Sequence, residues 1–267
     1  MFDIYVRKDL NMRKGKMCAQ VSHAILYNLF SLIDVDDKAM FGKIHTAVIK
    51  DVFTDWFDLG MRINVHWVDS EAELSKKFDE HKRQQTICHM VTDLGFTEFK
   101  NKKTKTCFFV MHKSSRYIQN GLKISTLMKI SKNVDSKHWL NNLPKDDIKQ
   151  VIVLRSKEKT KKEDLITNVM RNVIQMAFLS FTLKGDYFLM NLFEEKKTIH
   201  WILSNQKKIV LSCDQYDDFK TTVTSKYNNV FSTSERRWNT SSNPSMIVFP
   251  CQYSKDIDQL TQFMSLA

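Results

Sequence analysis

Lys16, Gln20 and His23 stand four and then three positions apart. On a helix that spacing carries an ammonium, a carboxamide and an imidazole onto one face. Arg13, Lys14 and Gly15 come just before them, and a glycine there lets the backbone turn tightly as the helix begins. Cations beside the free amides of a helix start make an arrangement suited to an anion. Taken alone, such a face is the ordinary solvated side of a helix. Its meaning therefore depends on what the rest of the chain supplies.

Composition narrows the choice. The chain of 267 residues has 42% hydrophobic residues and a formal charge of +11, with both halves basic. A basic surface concentrates polyanions, although ordinary solubility charge accounts for the excess equally well. No apolar run reaches the length of a membrane span. Residues 1–7 show no pattern of a secretory leader, so a cytoplasmic location is expected. The five cysteines (Cys18, Cys88, Cys107, Cys213 and Cys251) are dispersed, as reduced thiols would be. The eight histidines form no metal-binding pair on a helix, and no metal or organic cofactor is expected. Cys18 lies beside the polar face, but no acid or histidine is placed to activate it as a nucleophile.

The elements that must hold the polar face are readable from periodicity. Phe2 to Arg7 alternates as a strand, and residues 16–32 repeat apolar positions at helical spacing through Met17, Val21, Ala24, Ile25 and Leu29. Residues 34–42 read as a polar loop, and Ile44 to Leu59 as a second helix stopped by Gly60. A strand from Arg62 to Val68 follows. Ser70 three positions before Glu73 signals a capped helix to about Arg83. Strands are expected at Thr86 to Val91 and Thr104 to Met111, with a polar loop between them and a helical stretch to about Ile130. The second half repeats the theme: strand 151–155, helix 161–181, an apolar run 199–203, strand 208–212, helix 216–227, strands 230–233 and 246–249, and helix 254–264.

That parallel suggests an internal duplication. Ile4 to Phe30 lies without a gap on Ile152 to Phe178, with Arg7 on Arg155, Val21 on Val169 and Phe30 on Phe178. Further on, Trp56 falls on Trp201 and Ile63 on Ile209. The expected fold class is α/β, a mixed β-sheet flanked by helices and present twice. The expected domains are 1–135 and 148–267, with the boundary between Ser136 and Asp147.

Two motifs add identity to this pattern. Asp9-Leu10-Asn11-Met12-Arg13-Lys14-Gly15-Lys16-Met17-Cys18-Ala19-Gln20-Val21-Ser22-His23-Ala24 is followed, some seventy residues on, by Asp93-Leu94-Gly95-Phe96-Thr97 and then Thr104-Lys105-Thr106. Over about residues 2–125 the chain resembles the peptidyl-tRNA hydrolases of the archaeal and eukaryotic type. It meets every specified position of their first signature, and Trp56 sits where the family has it. Between Thr97 and the Thr-x-Thr pair it is one residue longer than the family pattern. The resemblance implies a small mixed sheet flanked by helices and hydrolysis of the ester of peptidyl-tRNA, without a cofactor. It also implies a site of Lys16, Gln20, Asp93, Thr97 and Thr106 supported by His23, with Arg13, Lys14 and Gly15 on the substrate.

Those residue types suit ester hydrolysis, which needs an activated water and a donor for the developing oxyanion. Asp93 can orient or deprotonate water. Lys16, with helix amides, can hold the oxyanion or a phosphate. Thr97 and Thr106 can hold water or ester, and Gln20 can orient the peptide or Lys16. In the overlay Gly15, Lys16, Gln20 and His23 fall on Glu163, Asp164, Asn168 and Arg171, so the second copy is expected to be degenerate. It would form a pseudo-dimer within one chain, or else the protein pairs as a homodimer. The run Lys157 to Lys162 with Arg236, Arg237 and Trp238 is either a tRNA contact or a solvated loop. The alternatives are a non-catalytic tRNA- or protein-binding module that keeps the fold, and an esterase for another tRNA adduct.

Overall fold

The computed structural model describes residues 2–30, 33–36, 41–45, 62–84, 86–112, 148–156, 161–179, 181–184, 187–190, 208–226, 231–232, 246–249 and 252–267. In chain order the elements of the first half are β1 (Phe2–Arg7), α1 (Lys14–Phe30), β2 (Ile33–Asp36), β3 (Phe41–His45), β4 (Ile63–Val68), α2 (Glu71–Arg83), β5 (Ile87–Asp93) and β6 (Thr104–Met111). The second half supplies β7 (Ile148–Arg155), α3 (Lys162–Leu179), β8 (Phe181–Lys184), β9 (Tyr187–Met190), β10 (Lys208–Cys213), α4 (Tyr216–Lys226), β11 (Phe231–Ser232), β12 (Met246–Val248), β13 (Gln252–Tyr253), α5 (Ser254–Thr261) and β14 (Ser265–Leu266). No described helix is long and apolar enough to cross a membrane.

The doubled α/β fold is visible in the strand order. One sheet runs β4-β1-β6-β5 and the other β11-β12-β7-β10-β14. In each, a strand lies parallel to one neighbour (β1 with β4, β7 with β10) and antiparallel to the next (β1 with β6, β7 with β12). The registers agree as well. Ile4 pairs with Val65 where Ile152 pairs with Val210. The Lys8 amide donates to the Val68 carbonyl at 2.8 Å, and the Ser156 amide to the Cys213 carbonyl at 2.9 Å. By these ladders Asn64, not Ile63, is the counterpart of Ile209. The overlay is thus one residue out there, because apolar matching ignored which rung each side chain occupies. Trp56, Trp201, the 113–147 stretch and the expected boundary lie outside the described residues.

The chain divides into two compact units that each take segments from both halves. One comprises residues 1–12, 23–135 and 182–190, the other 13–22, 136–181 and 191–267. Of the expected loop at 34–42, residues 34–36 lie in β2 and residues 41–42 in β3, which pair antiparallel, and Ile44, expected to begin a helix, also lies in β3. These short strands form a third sheet of order β2-β3-β9-β8. Asp34, Asp36 and Asp37 look like loop residues by composition, but Ile33, Val35, Phe41 and Ile44 give the pairing strands their apolar content. In the second half, Phe181 belongs to β8, α5 ends at Thr261, and Ser265–Leu266 form an edge strand on β10.

The start of α2 follows its sequence signal. Ser70 Oγ accepts the Glu73 amide at 3.1 Å, and Glu73 reaches back to the Asp69 amide at 2.8 Å. The helix buries Leu74 and lays Phe78 against Val68, Cys88, Phe108 and Val110. The matching layer of the second sheet sets Tyr216, Phe219 and Val223 of α4 against Val151, Val153, Leu211 and Ile247.

Two polar clusters fix β1 among its neighbours. Arg7, buried at the end of β1, binds Asp9 through two hydrogen bonds of 3.0 and 2.6 Å. It also reaches Glu71 at 2.9 Å and the Lys105 carbonyl at 3.0 Å. One guanidinium therefore holds the loop before α1, the first turn of α2 and strand β6. Asp3, at the other end, accepts from Asn64 at 2.7 Å and is bonded to His112, with His66 at 3.4 Å. Burial pushes the Asp3 carboxyl up, but the bonds from His112 and Asn64 more than offset this and hold it at about 2.

Arg155, the counterpart of Arg7, is bonded to Asp217 at 2.6 and 2.8 Å and lies over the Tyr216 ring. That ion pair is more exposed than the one made by Arg7. Arg7→Ala should cost about 2 kcal/mol, since it removes a buried guanidinium and the hydrogen bonds it donates to Asp9, Glu71 and the Lys105 carbonyl. Arg155→Ala should cost about 1 kcal/mol or less, and urea unfolding of both variants measures the contrast. Asp3 has a folded pKa below its unfolded value, so it stabilises the fold above about pH 4 and loses that contribution as pH falls through about 2. Asp3→Asn should therefore lower stability by about 2 kcal/mol at neutral pH, and its unfolding curve should converge with the parent's by about pH 2.

Candidate active site

The polar face sits on α1. The chain leaves β1, turns at Asn11, whose φ of 45° is left-handed, and enters the helix with the Met17 amide bonded to the Arg13 carbonyl at 2.9 Å. The helix thus starts at Lys14, two residues earlier than its periodicity predicts, and Gly15 lies inside its first turn. Gly15 is not the turning residue. A Cβ there would stand 2.3 Å from the carbonyl oxygen of Ala267, so the position requires glycine for close backbone approach. Arg13 and Lys14 are exposed, Lys16 and His23 half-buried, and Gln20 is buried at 3% exposure. Met17, Val21, Ala24 and Ile25 are buried, as their spacing predicts. Asn28 ties the helix to β6 with a 2.9 Å bond from its amide to the Phe109 carbonyl.

The start of α1 works against its own dipole. Its first turn holds no acidic residue, and Lys14 and Lys16 stand near the positive end. The corresponding turn of α3 carries Glu163 and Asp164, which that dipole favours. Burial pushes the Cys18 thiol up to about 12. It stays protonated at neutral pH, in keeping with its exclusion as a nucleophile.

The second group sits on the β5–β6 hairpin. Asp93 ends β5, and its Oδ1 accepts the Gly95 amide at 2.7 Å. Gly95 has φ of 89°, and a Cβ there would lie 2.5 Å from the Lys102 backbone. Thr97 is exposed in the same loop. Opposite Asp93 in the ladder stands Thr104, whose hydroxyl donates to the Lys102 carbonyl at 2.8 Å. The register then passes from Thr92 with Lys105 to Val91 with Cys107, which leaves Thr106 as the extra residue of a β-bulge. Its buried hydroxyl donates to the Val91 carbonyl at 3.3 Å.

Asp93 and Thr97 are therefore brought onto one loop, Thr106 stands two residues along β6 from Asp93's partner Thr104, and Lys16, Gln20 and His23 form the separate set on α1. Lys16 and Gln20 are counted in one compact unit, and His23 with the hairpin in the other. Asp9 is a motif residue whose role sequence reading leaves open, and here it is the partner of Arg7 rather than a reacting group. Among the described residues, no group of three or more His, Cys, Asp or Glu side chains lies together as a metal site would require.

Comparison with known proteins bears on the same region. The family described as peptidyl-tRNA hydrolase PTH2 matches residues 2–124. A peptidyl-tRNA hydrolase of Thermoplasma acidophilum is 31% identical over 98 residues, which cover 36% of this chain and 70% of that protein. One from Thermoplasma volcanium is 34% identical over 107 residues, covering 39% and 77%. One from Methanococcus maripaludis is 30% identical over 95 residues, covering 36% and 71%. The matched stretch contains β1, α1 and the β5–β6 hairpin with both motifs. On these grounds the chain belongs to the peptidyl-tRNA hydrolase family PTH2.

Proposed function

We propose that this protein hydrolyses the ester joining a peptide to the 3′-terminal ribose of tRNA. The observation that carries the reading is the start of α1. Arg13, Lys14 and Lys16 gather at the positive end of a helix dipole, an arrangement suited to an anion. A tRNA phosphate, and then the oxyanion formed as water adds to the ester carbonyl, supplies that charge.

In this reading Asp93 orients and deprotonates the attacking water, with its Oδ1 held by the Gly95 amide. Water adds to the carbonyl carbon, Lys16 stabilises the oxyanion, and the bond to the ribose oxygen breaks to leave a peptide carboxylate and a ribose hydroxyl. Gln20, buried on α1, orients Lys16 or the peptide, and His23 supports that face. Thr97 holds the water or the ester, and Thr106 shapes the strand below it. Arg13, Lys14 and the Gly15 backbone meet the substrate.

The second half has acidic residues where the first has Gly15 and Lys16. We read it as a copy that keeps the scaffold without the site, and the protein as a monomer. The free thiols of Cys18, Cys88, Cys107 and Cys213 suit a reducing compartment, which supports a cytoplasmic location.

Release of tRNA from N-acetyl-aminoacyl-tRNA tests the reaction. Lys16→Ala should lower kcat/KM by about 100-fold, and Asp93→Asn by about 100-fold or more. Equal background rates for parent and Lys16→Ala would favour a binding module instead. Full turnover by Asp93→Asn would remove Asp93 from the role of base. Sedimentation should give the mass of one chain, and a dimer would overturn the monomer assignment.

A further inference from the structure

We infer that Phe96 is a stacking platform for an unpaired base at the 3′ end of the tRNA, an inference that rests on the hydrolase reading for the identity of the RNA. Phe96 is 77% exposed and its neighbour Leu94 49% exposed. A phenylalanine that open forgoes the burial that normally stabilises an aromatic ring. Its loop is nevertheless closely built. The Asp93 carboxylate holds the Gly95 amide, the Gly95 carbonyl accepts the Asn101 amide at 2.9 Å, and the Phe99 carbonyl accepts the Lys102 amide at 2.9 Å. Lys100 and Asn101, neither of them glycine, both take left-handed φ angles of 50° and 60°. Such conformations persist only where the surroundings impose them. The ring is thus presented on a preorganised loop.

The partner's chemistry follows from the loop's charge. Lys100, Lys102 and Lys103 are exposed on it, against the half-buried carboxylate of Glu98. An aromatic face with lysines around it is the combination that single-stranded nucleic acid recognises, base on ring and phosphate on ammonium. Phe96 lies between Gly95 and Thr97, three residues from Asp93. The loop that carries the proposed base would then also grip the terminal nucleotide whose ribose bears the ester. A protein partner for Leu94 and Phe96 would have less use for the three lysines.

Two measurements on the full-length protein decide this. In the first, Phe96→Trp is titrated with a short single-stranded RNA carrying the 3′ tail of tRNA, alongside the parent protein. Stacking predicts quenching of the introduced indole's emission, beyond any change in the parent, that weakens as salt rises; emission that changes no more than the parent's overturns the inference. In the second, Phe96→Ser is assayed on N-acetyl-aminoacyl-tRNA and on an N-acetyl-amino-acid ester without a nucleobase. We expect KM for the tRNA to rise roughly tenfold, kcat to stay within about twofold, and the simple ester to show no difference. Equal loss on both esters, or no change in KM, overturns the stacking role. Quenching by RNA with an inactive parent enzyme would defeat the hydrolase reading and leave the stacking role standing. Turnover without quenching would do the reverse.

Discussion

The guanidinium of Arg7 joins what the sequence keeps far apart. Asp9 begins the first motif, Glu71 opens α2, and Lys105 lies within the second motif. All three meet one side chain at hydrogen-bond distance. A charge this buried is tolerated only when its donors are satisfied, so the loop before α1, the first turn of α2 and strand β6 must keep their places together. Thr106 follows Lys105 directly, and the bulge there depends on a fixed register of β6 against both β1 and β5. The aspartate that heads the first motif thus acts through position rather than by touching a reacting atom.

The second sheet shows what remains when that demand is relaxed. Arg155 keeps its grip on the first turn of the neighbouring helix through Asp217. In sequence, Lys157 stands where Asp9 does in the first half, so the carboxylate that Arg7 binds there is not encoded in the second. The start of α3 has acquired acidic residues that its dipole favours, whereas α1 retains cations that it disfavours. Stability and the capacity to hold an anion pull a helix start in opposite directions.

Much of this was legible in the sequence because the signals were local. Strand alternation at Phe2 to Arg7, the Ser70–Glu73 cap and the extent of β6 each follow from residues close together in the chain. The strands β2, β3, β8 and β9 were not legible, because segments of four or five residues become strands only when they find one another. Gly15 shows the same limit from another side. Its type was readable as a constraint, yet the reason lies at Ala267, 252 positions away. Phe96 escaped notice because nothing in a sequence tells whether an aromatic ring in a polar loop folds inward or stays out.

The division of the chain carries an evolutionary consequence. Residues 13–22 are built into one compact unit and residues 182–190 into the other, each lent by the opposite half. A duplicated gene normally leaves its spare copy free to decay or be discarded. Here each half has lent the other a segment, so neither can be lost without dismantling both. A change that removes either half therefore removes part of both compact units, and selection that maintains one unit must maintain residues of both halves.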